Sequence, residues 1–149
     1  MKETTMKTIL TFLSVLVMFV LVIPANAGGK GELQKHFSDV ANKVKATENV
    51  VEKRAILENS FKDMSEALDK VQGSFLVSKE DQAGIEGLKS ILKDNQDELA
   101  GINGYERVPD SQLNNFSNYV VQNMAQADQM ITISLVAALL IIIILILVL

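Results

Sequence analysis

The residues able to do chemistry are few and scattered. His36 is the only histidine and cysteine is absent, which removes the common zinc sites built from cysteine and several histidines. A lone imidazole beside Phe37, with no nucleophile at a fixed spacing, reads as a packed or surface side chain rather than a base. Asp94, Asp97 and Glu98 bring three carboxylates into one helical turn. Acids in this pattern usually form a solvated helix face, and the D-x-[DN]-x-[DN]-G spacing of a calcium loop is missing. The serines lie in no G-x-S-x-G turn. Gly28-Gly29-Lys30-Gly31 is not a phosphate loop, because no G-x-x-x-x-G-K-[ST] pattern surrounds it. Asn115-Phe116-Ser117 is a glycosylation sequon by composition, although Phe116 falls on the apolar face of its helix. No catalytic, cofactor-binding or metal-binding residues are identified, and the expectation is a non-catalytic protein with no evident small-molecule substrate.

The ends of the chain carry the clearest signals. Lys2 and Lys7 precede an apolar run from Ile9 to Ile23, followed by Pro24 and the small-x-small triplet Ala25-Asn26-Ala27 before Gly28. That is the layout of a secretory signal peptide over residues 1–27, cleaved between Ala27 and Gly28. The run is shorter than the about 20 residues that a membrane-spanning helix needs. Cleavage removes Lys2, Glu3 and Lys7, taking Lys+Arg from 14 to 12 and Asp+Glu from 18 to 17, for a net charge of −5. An acidic chain without a basic block is unsuited to nucleic acid.

At the other end, Ile131 to Leu149 contains no charged residue. As a helix it would cover about 28 Å at about 1.5 Å per residue, close to the thickness of a hydrocarbon core. Residues 131–149 are therefore expected to form a single transmembrane helix, with residues 28–130 as an α-helical domain outside the cytoplasm, in a periplasm or at a cell surface. Two alternatives attach to this tail. It could be a signal exchanged for a glycolipid (GPI) anchor in a eukaryotic source, with Asn123/Ala125 or Ser117/Asn118 at the cut. It could also belong to a pore or lysis-type protein, although Thr132 and Ser134 are the only polar residues in the span.

Between the ends, the spacing of apolar residues predicts an all-α fold: an elongated helical hairpin or a small, coiled-coil-like helical bundle. Leu33, Phe37, Val40, Val44 and Thr47 step by four and three. The same alternation continues from Val50 through Arg54, Leu57, Phe61, Met64, Leu68 and Val71 to Phe75. The step from Thr47 to Val50 is three where four is due, a stammer that a continuous helix absorbs by overwinding. Asn49 with Glu52 offers the opposite outcome, a fresh helix start.

The seam retained on both sides of the stammer favours one straight helix over 32–77. Its free half, Leu33, Phe37, Val40 and Val44, would then be an interaction stripe for a protein partner or a second copy. Asp39/Lys43, Glu58/Lys62 and Glu66/Lys70 are acid-first pairs on the outer face. Ser78 caps a second helix, near 79–101, whose apolar face is interrupted by Asn95. Gly101 to Gly104 stops it. Asp110 is expected to cap a third helix that carries Leu113, Phe116, Val120, Met124 and Ala127 inward and runs unbroken into the span. The function expected is protein–protein contact or a structural role at a membrane.

Overall fold

The computed structural model describes residues 31–73, 77–131, 142, 143 and 146. The predicted signal peptide and its cleavage site at Ala25, Ala27 and Gly28 lie outside these residues, as does most of the 131–149 segment. Among the described residues the fold is all-α, with no strand. Its α-helices are α1 (Glu32–Ala46), α2 (Val50–Gln72), α3 (Lys79–Ala100) and α4 (Leu113–Ala127), with single 3-10 turns at Asp110–Gln112 and Asp128–Met130.

The expected straight first helix is broken, and the break is chemical. Asn49 is extended, and its side-chain carbonyl accepts hydrogen bonds from the Val51 amide at 2.9 Å and the Glu52 amide at 3.2 Å. Those amides are among the first donors of α2, which have no partner within the helix. Thr47 ends α1 in an extended conformation. The cap thus prevails over the overwinding that continuity would need.

Folding α1 back changes what its stripe does. Leu33, Phe37 and Val44 are buried in the same core as Leu57, Phe61 and Met64, with Val40 packed against its edge. Phe37 stacks on Phe61 with ring centroids 6.2 Å apart. The stripe expected to await a partner is a core face of its own chain, so the self-association argued from it loses its basis.

The helices form an up-down-up-down bundle of the kind that short connections favour. The amides at the start of α1 meet Asp128 at the end of α4, and α1 packs most extensively against α4. Arg54, early in α2, reaches the Leu99 carbonyl at the end of α3. Near the other end of this antiparallel pair, Lys89 forms an ion pair with Asp69 at 2.9 Å. On α3, Ser78 caps as the sequence indicates, accepting from the Asp81 amide at 3.1 Å. Asn95, buried among leucines, accepts from Asn123 of α4 at 3.0 Å. This polar contact inside an apolar seam favours one register of the two helices, because sliding would also strip the buried Asn95 carbonyl of its donor.

Two further expectations are corrected. Asp110 is not a helix cap; its carboxylate is held by Arg54, and a 3-10 turn precedes α4. Nor does α4 continue unbroken: it tightens into the turn Asp128–Met130, and Ile131 is extended. That turn brings the Asp128 carboxylate against the start of α1. Of the acid-first pairs, none closes among the described residues; Lys62 approaches Glu66 instead, at 3.9 Å. Exposed pairs of this kind contribute little either way.

Candidate interaction surface

The most constructed part of the surface is the end of the bundle where α3 turns into α4. Gly101, at φ 72°, ends α3 in the left-handed conformation, with its own amide and that of Ile102 both donating to the Asp97 carbonyl. A Cβ at position 101 would lie 2.5 Å from that of Arg107, so only glycine allows the returning chain to pass this close. Asn103 is also left-handed, at φ 56°, and its side-chain amide donates to the Asp97 carboxylate at 3.0 Å. Lys93 donates to the same carboxylate at 2.6 Å. These two hydrogen bonds, Lys93 first, hold the Asp97 carboxyl below the usual range although burial opposes them.

Arg54 locks the loop from the opposite side. Its guanidinium donates to the Leu99 carbonyl at 2.9 Å, the Val108 carbonyl at 2.7 Å and the Asp110 carboxylate at 2.9 Å. The side chain is 11% exposed. A cation at the last carbonyls of α3 is also favoured by the helix dipole. The hydrogen bond from Arg54 holds the Asp110 carboxyl below the ordinary range. Val108 is buried, and its amide donates to the Glu98 carbonyl at 3.3 Å. One cation thereby ties α2, the end of α3, the loop and the approach to α4 together.

The loop held in this way borders an open groove of about 660 Å³. Val108, Pro109 and Phe116 supply its apolar lining, Tyr119 of α4 borders it, and Glu98, Glu106 and Arg107 bring charge. Phe116 is nearly buried, and its ring lies 6.0 Å from that of Tyr119. Tyr119 is 46% exposed, Tyr105 40% and Ile102 52%. Negative charge on Asp94, followed by partial burial and Glu98, pushes the Tyr105 phenol above its usual value. Val51, 75% exposed, and Val50 begin α2 at this same end.

The remaining sequence candidates lie elsewhere. His36 is half-buried on α1, edge-on to Phe37 with ring centroids 5.2 Å apart. Burial lowers its pKa, and the nearby carboxylates Asp39 and Asp63 only partly offset that. In the sequon, Asn115 is exposed, whereas Ser117 is buried and donates to the Asn114 carbonyl at 2.7 Å. No group of His, Asp or Glu side chains among the described residues is arranged to hold a metal ion.

Asp97, read as one member of a solvated acidic face, is instead a loop anchor, and Arg54, placed in the alternation as a seam position, is the cation that locks the loop. The signal was present in both. A cation in an apolar seam needs acceptors, and an acid four residues before a glycine stop can brace the turn.

Ile131, which follows the turn at the opposite end of the bundle, is buried; Ile143 is 2% exposed within the same core, with Ile142 and Ile146 packed against it. No helix among the described residues is long and apolar enough to cross a membrane. No protein-family model, curated protein sequence or solved structure matches the chain. The functional reading therefore rests on its own residues.

Proposed function

We propose that the chain is a small, exported, membrane-anchored helical protein that works through protein–protein contact and not by catalysis. The observation that carries this reading is the polarity of the bundle. Gly31, shortly after the predicted signal peptide in sequence, and Asp128, shortly before the uncharged 131–149 segment, are joined by a hydrogen bond and share one end of the bundle. The exposed apolar residues Val50, Val51, Ile102 and Tyr105 stand at the other end, with Tyr119 in the first half of α4. A segment anchored in lipid at the first end would hold the second away from the bilayer, facing whatever approaches from outside. Exposed aromatic and aliphatic side chains gathered around a groove are the usual material of a contact site.

A second reading rests on Ile143. Its burial in the bundle core gives the C-terminal segment another place to cover its apolar surface, and the segment would then be a further helix of the bundle rather than an anchor. Alkaline extraction of membranes from cells expressing the full chain separates the two. An anchored chain stays in the membrane pellet, and protease added from outside digests its helical domain. A chain released into the supernatant supports the second reading. The pore alternative predicts dye leakage from liposomes carrying the purified protein, and intact liposomes are the expected result.

A further inference from the structure

The groove between the α3–α4 loop and α4 has a composition that specifies its occupant. Its base is apolar, from Val108 and Phe116, and Tyr119 extends that surface to the exterior. The charges around it do not cancel. Arg54 and Arg107 share the Asp110 carboxylate, Arg107 at 3.9 Å, which leaves one positive charge over, and Asp97 is engaged by Lys93; Glu98, Glu106 and Asp94 outnumber that one cation. Glu98 and Glu106 at the groove, and Asp94 close to Tyr105, form no ion pair among the described residues. An apolar slot beneath uncompensated carboxylates favours a large apolar side chain accompanied by a cation, because the cation meets complementary potential where an anion would be repelled.

The surroundings favour a polypeptide over a small molecule. The groove is open, and Ile102 and Tyr105 continue the exposed apolar surface beyond it, giving an extended segment more to cover than one cavity.

We propose that this groove binds a segment of a partner protein that presents a large apolar residue next to Lys or Arg. The apolar residue seats against Phe116 and Tyr119, and the cation lies between Glu98 and Glu106. The proposal rests on the reading that the bundle acts through protein contact, and it adds the place and the chemistry of that contact.

The test is a random peptide display library selected on the purified full-length chain. Enriched peptides are expected to carry net positive charge and at least one large apolar residue, and to bind more weakly as salt screens the carboxylates. Tyr119→Ala should weaken them about tenfold, equivalent to about 1.4 kcal/mol. Glu98→Lys combined with Glu106→Lys should abolish the charge preference and weaken the same peptides. Tyr119 and Glu106 are exposed and Glu98 is half-buried, and thermal melts verify that each variant is folded; if Tyr119→Ala is not, the charge reversal alone decides. Lys35→Gln, exposed near the start of α1 at the opposite end of the bundle, should leave binding unchanged, and Val51→Asn asks whether the exposed start of α2 is the contact instead. Enriched peptides that are acidic, or that ignore the groove variants, overturn the proposal. Peptides lost with Val51→Asn but retained by Tyr119→Ala also overturn it, while leaving the contact reading intact. Failure to enrich any peptide overturns both.

Discussion

The Asp128 carboxylate accepts hydrogen bonds from the backbone amides of Gly31 and Gln34, each at 3.0 Å. It caps a helix whose N-cap residue, Gly31, lies 97 residues earlier in the chain. Gly31 has no side chain with which to cap α1, so the amides that a helix leaves open at its start are satisfied from the end of α4. A carboxylate at a helix N-terminus also meets the positive end of the helix dipole. One side chain thereby joins the start of α1 to the end of α4.

Replacing Asp128 with Ala should destabilise the full chain by about 0.5–2 kcal/mol, the usual cost of losing a helix cap. Asn should cost less, because it retains an acceptor oxygen. Urea unfolding in mild detergent, followed by circular dichroism, measures both. Equal losses for the two would show that the charge, not the acceptor, is what α1 requires.

Gly101→Ala should be more damaging than its size suggests. The left-handed conformation alone costs a residue with a Cβ about 1–2 kcal/mol, and that Cβ would meet the backbone of Arg107 at 2.6 Å. The loop can relieve the clash only by moving away from α3, which disturbs the groove. The expected outcome is a lower melting temperature together with weaker binding of any groove-selected peptide. An unchanged melting temperature would mean that the loop does not pass as close to α3 as the geometry shows.

Acid should destabilise the bundle in two stages. Above the ordinary value of 6.5, His36 is neutral in both the folded and unfolded chain and contributes nothing to the pH dependence. Burial lowers its folded pKa despite Asp39 and Asp63, so as pH falls through 6.5 the unfolded chain takes up the proton first and stability declines. Asp97 and Asp110 act in a lower range. Their hydrogen bonds to Lys93 and Asn103, and to Arg54, depress their folded values below 3.8. The stability they contribute is complete above that ordinary value and is lost as pH falls through the depressed ones. Melting curves across this range should show His36→Gln flattening the first stage only, and Asp110→Asn reducing the second.

Much of this fold was legible in the residues, and the rest was not for specific reasons. Helix type followed from the four-three spacing, and Ser78 and Gly101 marked the limits of α3. The break at Thr47–Asn49 was legible as an alternative, but a seam that continues past a stammer looks the same whether the helix bends or folds back. What decides is long-range: α4 supplies a face for Leu33 and Phe37, and Asp128 supplies the cap, neither of which local spacing can show. The groove was still less visible. Tyr119 and Glu98 line one groove because Arg54 and Asp97 fasten the intervening loop, and part of that fastening falls on the backbone carbonyls of Leu99 and Val108, which carry no residue identity.

The chain contains no tryptophan, so the single substitution Ile142→Trp, near the middle of the 131–149 segment, reports on where that segment lies. Ile142 is half-buried, which leaves space for the larger ring. In vesicles whose lipids carry bromine midway along their acyl chains, the anchored account predicts strong quenching of the introduced indole's emission relative to unbrominated vesicles. Blue-shifted emission that bromine leaves unquenched, in a chain still associated with the vesicles, would place the segment in the bundle core beside Ile143 and contradict the anchor.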